Sequence, residues 1–432
     1  MSIQRLCYNE DMLNINFIRD NKDLVQAAAT RKSVSVDIDA LLALDVERRE
    51  LVTQIEELRA EQNQQSERIQ NLSEGEKENA ISAMKELKNK IQELEKKLDP
   101  ILEKYKEMML AVPNIPDVSV PDGDSDLENE EIKSWGKKTE FDFNPRSHIE
   151  ILEALGMVDF GRGSKVHGFR GYFLLGDAVK LSFAIWNYAS DFFSDKGYMP
   201  VIAPAIVRKE NLYTTGHLPN EADDVYYTQD NDYLVGTAEV PLMGYYANEI
   251  LDVQELPKKF LGFTPCYRRE AGSYGKDTKG LVRVHEFYKW EQLVLCTASH
   301  EESVKFHEEV NRNTEEFIES LEIPYRTVIN CTGDLGLGQV KKYDIELWVP
   351  GEQKYREISS ASYFHDFQTR RANIRYRDAA GKIHFVHSLN CTAVATPRIM
   401  VSMIENFQNP DGSVNIPHSL IPYFNSDKLK MK

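Results

Sequence analysis

The chain has 432 residues, 41% of them hydrophobic, which is enough for two or three domains and a large core. Its formal net charge of −17 argues against indiscriminate nucleic-acid binding, although a local basic strip on an acidic protein can still reach RNA. No apolar run approaches the ~18 residues of a membrane-spanning helix, and Cys7, Cys266, Cys296, Cys331 and Cys391 lack any CxxC spacing, so no disulfide framework, zinc knuckle or membrane anchor is expected and a reducing cytoplasm is the simplest setting.

The opening MSIQRLCYNED lacks a signal-peptide core, and residues 1–11 read as an extension or a misassigned start ahead of MLNINFIRDN. Residues 38–99 contain one glycine, Gly75, and no proline. Leu44, Leu51 and Leu58 recur every seven residues, with Ile55 between. After a break at 71–79, Met84, Leu87, Ile91, Leu94, Leu98, Ile101 and Tyr105 alternate by threes and fours. This heptad spacing predicts an antiparallel two-helix coiled coil with its tip near Gly75, and Ser73 with Glu76 fits a capping box for the second helix. Alone, such an arm reads first as an ordinary dimerisation coil. Lys85, Lys88, Lys90, Lys96 and Lys97 offer either phosphate contacts or a plain solvated face.

Pro113, Pro116 and Pro121, followed by DGDSDLENEE, predict a linker over 113–145 between an N-terminal domain (1–112) and a globular domain (146–432). In the latter, residues 177–195 read as an amphipathic helix leading into GYMPVIAPAIV, a short strand containing Pro200 and Pro204. YLVGTAEVPL at 233–242 reads as an apolar strand leading into Thr237, Ala238 and Glu239.

Residues 261–295 read as two strands joined by a long polar loop whose three glycines let the backbone approach a ligand. Arg268, Arg269 and Glu270 close the first strand. In the second, begun at Leu281, Arg283, His285, Phe287, Lys289 and Glu291 share one face, and Val282, Val284, Glu286, Tyr288 and Trp290 the other. A phenylalanine among charges beside a glycine-rich loop suits a nucleoside triphosphate better than a merely solvated strand face. Farther on, Glu357, Ser359 and Ser360 put a carboxylate and hydroxyls on a strand, donors suited to Mg2+ held against phosphate oxygens. Finally HSLNCTAVATPRIM predicts a strand from His387 and a helix from about Ile399, begun by Arg398.

The stretch CYRREAGSYGKDTKGLVRVHEFYKWE resembles the second signature motif of class II aminoacyl-tRNA synthetases, in the seryl-tRNA synthetase form CFRxEAGxxGxDTxGLxRxHQFxKxE; Glu286 stands where that family usually has glutamine. Other stretches resemble the family in its own order. The 177–204 helix and strand match the first motif, which in the family forms a dimer interface. TAE at 237–239 matches the serine-contacting element, EISS at 357–360 the stretch that contacts ATP and its metal, and DFQTRR the family's DFQARR. The third motif departs from the common LNGSGLAVGR: Cys391, Thr392 and Ala393 replace glycine, serine and glycine, and Pro397 precedes Arg398. The lost glycines change backbone freedom there, while Thr392 keeps the hydroxyl.

The resemblance implies an α+β fold, an antiparallel sheet flanked by helices, carrying an N-terminal coiled-coil arm that grips the long variable arm of tRNA(Ser); it leaves tRNA(Sec) open. It implies activation of L-serine by ATP with Mg2+, no zinc, a homodimer, and a cytoplasmic location. The implied catalytic residues are Arg268, Glu270 and Arg398. The implied serine site is Thr237, Ala238, Glu239, Arg268, Glu291, Asn390 and Thr392. The implied ATP site is Arg268, Arg269, Glu270, Val284, Phe287, Glu357, Ile358, Ser359, Ser360 and Arg398, with Glu357 and Ser360 on the metal. Two rivals stand beside this reading. A ligase that loads a carrier protein would need no such arm, and a non-catalytic RNA-binding paralogue would be expected to lose Arg268, Glu270, Glu291 or Arg398, all of which are present.

Overall fold

The computed structural model describes residues 13–69, 73–219, 221–272, 275, 277 and 279–430, with backbone alone at 69 and 74–76. The extension over 1–11 and the Glu76 half of the capping box lie outside the described residues. The chain divides between Pro113 and Asn114 into two compact units.

In the first unit, helices Ile38–Ile69 and Glu74–Ala111 run antiparallel, with Arg59 paired to Glu95 at 2.5 Å and Ser66 opposite Met84. The second helix begins at Glu74, so Gly75 sits in its first turn. The seam is the predicted one: Ile55, Ile91 and Leu98 are buried, with Leu51, Leu58 and Leu94 packed against them. Each such buried aliphatic side chain contributes about 1.5–3 kcal/mol. A separate cluster of Ile15, Ile18, Val25, Ile38, Leu41, Tyr105 and Met109 closes the base of the arm. Lys85, Lys88, Lys90, Lys96 and Lys97 are all exposed.

The second unit is built on an eight-stranded sheet. Its strands are β1 (Glu130–Trp135), β2 (Met199–Ile202), β3 (Lys258–Tyr267), β4 (Glu286–Cys296), β5 (Tyr325–Ile329), β6 (Lys341–Val349), β7 (Lys354–His365) and β8 (His387–Thr396). They lie in the order β1-β5-β6-β7-β8-β4-β3-β2, all neighbours antiparallel except the edge pair β2 and β3. The helix expected over 177–195 spans Asp177–Asp195 and buries Leu181, Ile185, Ala189 and Phe193. Among the described residues no helix is long and apolar enough to cross a membrane.

Three expectations meet a different local structure. The segment 113–145 is no free linker: Asn114 is buried, donating to the carbonyls of Gly338 and Phe364 at 3.1 and 2.8 Å, and Glu130–Trp135 pairs with β5. The acidic run reads as solvated, yet its last two residues enter the sheet, Glu130 opposite Ile329 and Glu131 opposite Val328. The strand at 233–242 stops at Leu234, and a helix runs from Glu239 to Tyr245; Pro241 falls in its first turn, where a missing N–H costs nothing. The strand expected from Leu281 starts at Glu286. Leu281, Val282 and Val284 are all buried regardless of parity, and the Leu281 N–H donates to His148 Nε2 at 3.3 Å instead of to a strand. Gly280 makes this possible. Its φ is +83°, and a Cβ there would lie 2.5 Å from His148 Nε2.

Candidate active site

Strands β7, β8 and β4 are adjacent, and their two faces differ. Helix His300–Ser320 covers one: His307 Nε2 donates to the Ala361 carbonyl at 2.9 Å, and Gln292 Nε2 to the Val310 carbonyl at 3.0 Å. The register puts Thr392 opposite Glu291 and Asn390 opposite Ser362, which places these four on the other face. Polar side chains therefore line the face that the helix leaves open.

Two bulges adjust this face. One lies at Ile358, where Glu346 pairs with Glu357 and Ile345 with Ser359. One extra residue inverts the parity, so Glu357 and Ser360, three apart, share the open face. The other lies at Ala393, between Thr392 and Val394. The strand thus runs on through the stretch where the family's glycines are absent, reaching Thr396. Pro397 then caps the helix Arg398–Asn406.

On β3, Gly262, Thr264 and Cys266 pair with Glu291, Lys289 and Phe287, so Arg268 follows on the open face. Its N–H donates to the His285 carbonyl at 3.0 Å, and its guanidinium carbon lies 5.4 Å from the centroid of the Phe287 ring. Two clefts meet at this arginine. One, of about 280 Å³, includes Thr237, Glu239, Glu291, Asn390 and Ser360 in its lining; the other includes Glu270, Val284, Phe287, Ile358 and Arg398. Arg268, Lys289, Glu357 and Thr392 line both.

The floor of the first cleft is a buried ion pair, Lys289 with Glu291. Lys289 Nζ also donates to the Thr237 and Thr392 hydroxyls at 2.8 and 3.4 Å, and both hydroxyls donate onward to Glu291 Oε2 at 3.2 and 3.3 Å. The pair is enclosed and satisfied, the condition under which a buried charge is tolerated. Glu239 lines the same cleft, its N–H donating to the Thr237 hydroxyl at 3.3 Å and its Oε1 accepting from Gln368 Nε2 at 2.5 Å. Burial pushes its carboxyl above the usual range, opposed by His217, Gln368 and Lys289.

The second cleft gathers cations. Arg398 donates through Nε to the Val282 carbonyl at 3.1 Å and through Nη1 to the Glu357 carbonyl at 2.8 Å, which holds it between the hairpin and β7. Burial, then Arg268 and Arg283, pull its guanidinium below the ordinary value, against Glu357. Glu270, at a φ of +57°, accepts from Arg283 Nη1 at 3.0 Å. Asp277 pairs with Arg356 and, at 3.4 Å, with Arg283. Arg268, Arg283 and Arg398 around one small cleft make an anion receptor.

Three expected site residues present no side chain to either cleft. Ser359 faces the helix side, its hydroxyl donating to the Thr392 carbonyl at 2.5 Å. Arg269 turns away, with Nη1 donating to the Asp223 carbonyl at 2.9 Å. Ala238 is fully buried above Gly262, where a Cβ on the glycine would lie 2.8 Å from its methyl. That contact lets the Thr237 segment sit directly on β3. Lys289 and Arg283, beyond the expected set, line the clefts, and Gln368 stands behind Glu239. The first two lay on the polar face of the hairpin, where parity alone could have found them. Gln368 carried no signal beyond its place in DFQTRR.

Residues 225–407 match the tRNA synthetase class II core domain (G, H, P, S and T), and residues 12–116 the seryl-tRNA synthetase N-terminal domain. A serine–tRNA ligase of Deinococcus radiodurans is 44% identical over 413 residues, covering 95% of this chain and 97% of that protein. The seryl-tRNA synthetase of Pyrococcus horikoshii, solved complexed with ATP, superposes with a TM-score of 0.84 at 39% identity, covering 97% of this chain and 100% of that one. The cytoplasmic serine-tRNA ligase of Naegleria fowleri, solved in complex with AMP, gives 0.85 at 32% identity, covering 97% and 99%.

Proposed function

The chain belongs to the seryl-tRNA synthetase family, and on that premise we propose that the meeting of the two clefts at Arg268 is where serine's carboxylate encounters the α-phosphate of ATP. The activity is that of a serine–tRNA ligase. A carboxylate oxygen of L-serine attacks the α-phosphorus and pyrophosphate leaves, giving seryl-adenylate. A ribose hydroxyl of the terminal adenosine of tRNA(Ser) then attacks the seryl carbonyl, and AMP leaves. The match over both arm and core gives no support to a carrier-protein ligase or a non-catalytic paralogue.

The observation that carries the assignment is that Arg268 lines both clefts. Two anions must meet there, and a fixed guanidinium between them offsets their repulsion where charge develops. Phe287, with Val284 and Ile358 as walls, stacks adenine. Glu270 anchors the hairpin, and Arg398 and Arg283 face the distal phosphates. In the serine cleft, Glu291 already has Lys289 as a counterion, so it is suited to accept from the neutral hydroxyl. Glu239, hydrogen-bonded to the uncharged Gln368, is suited to the ammonium. Thr237, Asn390 and Thr392 complete the polar wall. A cleft built around a hydroxyl rejects alanine by leaving buried polar groups unpaired.

Glu357 and Ser360, two oxygen donors on one face, fit Mg2+ arriving with ATP, with phosphate oxygens completing its shell. Among the described residues there is no group of three His, Cys, Asp or Glu that could hold a metal by itself. When bound, the ion would supply charge neutralisation at the phosphates. The arm, with its exposed lysines, is the grip for the variable arm of tRNA(Ser); tRNA(Sec) is the second candidate acceptor. A second copy of the chain covers the apolar face where Phe183 is 55% and Ile202 86% exposed, next to a groove of about 640 Å³ walled by Tyr172, Trp186 and Tyr288. The cytoplasm is the proposed location.

Amino-acid-dependent pyrophosphate exchange tests the reading. Serine should support exchange and the other amino acids should not, and Arg268→Ala should lower it about a hundredfold or more. Exchange with a different amino acid, or near-normal exchange in the variant, removes the assignment.

A further inference from the structure

Gln368 is fully buried on the short helix Phe367–Ala372. Its amide is held at both ends. Nε2 donates to Glu239 Oε1 at 2.5 Å and to the Thr215 carbonyl at 3.4 Å, while Oε1 accepts from the Ser388 hydroxyl at 2.8 Å. Both partners of Nε2 are acceptors, which fixes the orientation of the amide. Ser388 is fully buried on β8, two residues before Asn390 and four before Thr392. One hydrogen-bonded line therefore ties the wall that carries Glu239 to the strand that carries two other residues of the same cleft.

The geometry points to Gln368 as a positioning residue for serine selection: its amide, oriented by Ser388, holds Glu239 in place as a carboxylate facing the cleft. This rests on Glu239 being a contact to serine. A buried acid without a donor takes up a proton and turns toward another partner. Burial already pushes Glu239 that way, and Glu291 adds to it, while His217, Gln368 and Lys289 oppose it. A donor placed behind the carboxylate leaves the cleft-facing side to the substrate.

The test uses the full-length enzyme, serine-dependent pyrophosphate exchange, and KM for serine and for ATP measured across pH. Gln368→Met keeps the length of the side chain and removes the donor. It should raise serine KM about ten- to hundredfold, the range for a hydrogen bond to a charged group, with ATP KM unchanged. It should also move the acid limb of kcat/KM for serine to higher pH, because the binding form is the carboxylate and its stabilising donor is gone. Gln368→Glu should show the opposite trend. Its introduced carboxyl can donate while protonated and repels Glu239 once ionised, so serine KM should worsen as pH rises. Ser388→Ala, which leaves the amide but frees its orientation, should raise serine KM severalfold and serves if Gln368→Met does not fold. Folded Gln368→Met with wild-type serine KM overturns the proposal, as does a parallel rise of serine and ATP KM with no pH signature in Gln368→Glu. Glu239→Gln separates the layers. If it leaves serine KM unchanged, the reading of the cleft fails; if it raises KM while the Gln368 variants are silent, this inference alone fails.

Discussion

Glu357 and Ser360 are three residues apart on β7 yet face the same side of the sheet, because the bulge at Ile358 inverts the alternation between them. Ser359, expected as an ATP contact, is turned to the helix side with its hydroxyl on the Thr392 carbonyl. The two serines should therefore separate by phenotype. Ser360→Ala and Glu357→Gln should raise the Mg2+ concentration needed for exchange, with Glu357→Gln lowering the rate about a hundredfold. Ser359→Ala should leave the Mg2+ dependence alone and cost about 1 kcal/mol of stability from a lost buried hydrogen bond. A Mg2+ titration of each variant beside a thermal melt decides; a shifted Mg2+ requirement in Ser359→Ala would contradict the facing described.

Lys289 and Glu291 are both at most 5% exposed in their side chains. Removing one member of such a pair leaves an uncompensated buried charge, which costs about 3–5 kcal/mol. Lys289→Met should thus be among the most destabilising single changes in the second unit, and should lower kcat/KM for serine by about two orders of magnitude or more. Lys289→Met combined with Glu291→Leu should recover most of the stability and none of the activity. Chemical denaturation of the single and double variants measures this, and equal stability of the two would show that the pair is not coupled.

How much of this was legible in the sequence depended on whether one periodicity held along a segment. Asp177–Asp195 was readable because its apolar spacing never breaks, and the arm because its seam keeps heptads on both helices. Leu281–Val284 failed because the partner of the Leu281 N–H is His148, 133 residues away, and local alternation carries no trace of it. The bulges at Ile358 and Ala393 have no composition of their own, so the side that Ser359 faces could not be read. Arg268, Glu291 and Thr392 were found through motif resemblance. Gln368 acts from behind Glu239, out of reach of any argument about pocket chemistry.

His307 is fully buried, with no hydrogen-bond partner for Nδ1 among the described residues, and burial lowers its pKa from 6.5 to about 4. Its charged form is disfavoured in the folded state. Between about pH 6.5 and 4 the unfolded chain binds a proton that the native protein does not, so stability is full above that window and falls as pH drops through it. His365, lowered to about 4 by burial and by His387 and His300, adds in the same direction. Unfolding free energy should decline from pH 7 to about pH 4.5 with a slope reflecting at least one proton. Replacing His307 with glutamine should reduce that slope. A slope unchanged in the variant would assign the effect to other groups.

If a second copy covers the apolar face, Phe183 and Ile202 become buried on association. Light scattering at micromolar concentration should report a dimer. Phe183→Glu together with Ile202→Glu should give a monomer with unaltered secondary structure, because a carboxylate there is solvated in the monomer and desolvated in the dimer. A wild-type monomer, or a dimer that survives both charges, places the partner elsewhere.

The arm should be separable from chemistry at the active site. Its distal seam, Ile55, Ile91 and Leu98 with Leu51, Leu58 and Leu94, is distinct from the base cluster that joins Leu41, Tyr105 and Met109 to Ile15 and Ile18. Replacing residues 51–98 with a short Gly/Ser turn therefore removes the first cluster and leaves the second, so the first unit keeps a core. Exposed Lys85, Lys88, Lys90, Lys96 and Lys97 go with the deletion, and with them the phosphate contacts proposed for the variable arm. Serine-dependent pyrophosphate exchange should stay within about twofold of wild type, since no residue of either cleft lies in the deleted stretch. Charging of tRNA(Ser) should fall by orders of magnitude at physiological salt, and in the intact protein tRNA affinity should weaken as salt rises, because neutralised phosphates release counterions on binding. Both assays belong on one preparation. Undiminished charging by the shortened protein would make the arm a bystander, whereas loss of both activities in a folded protein would show that the arm supports the catalytic unit structurally.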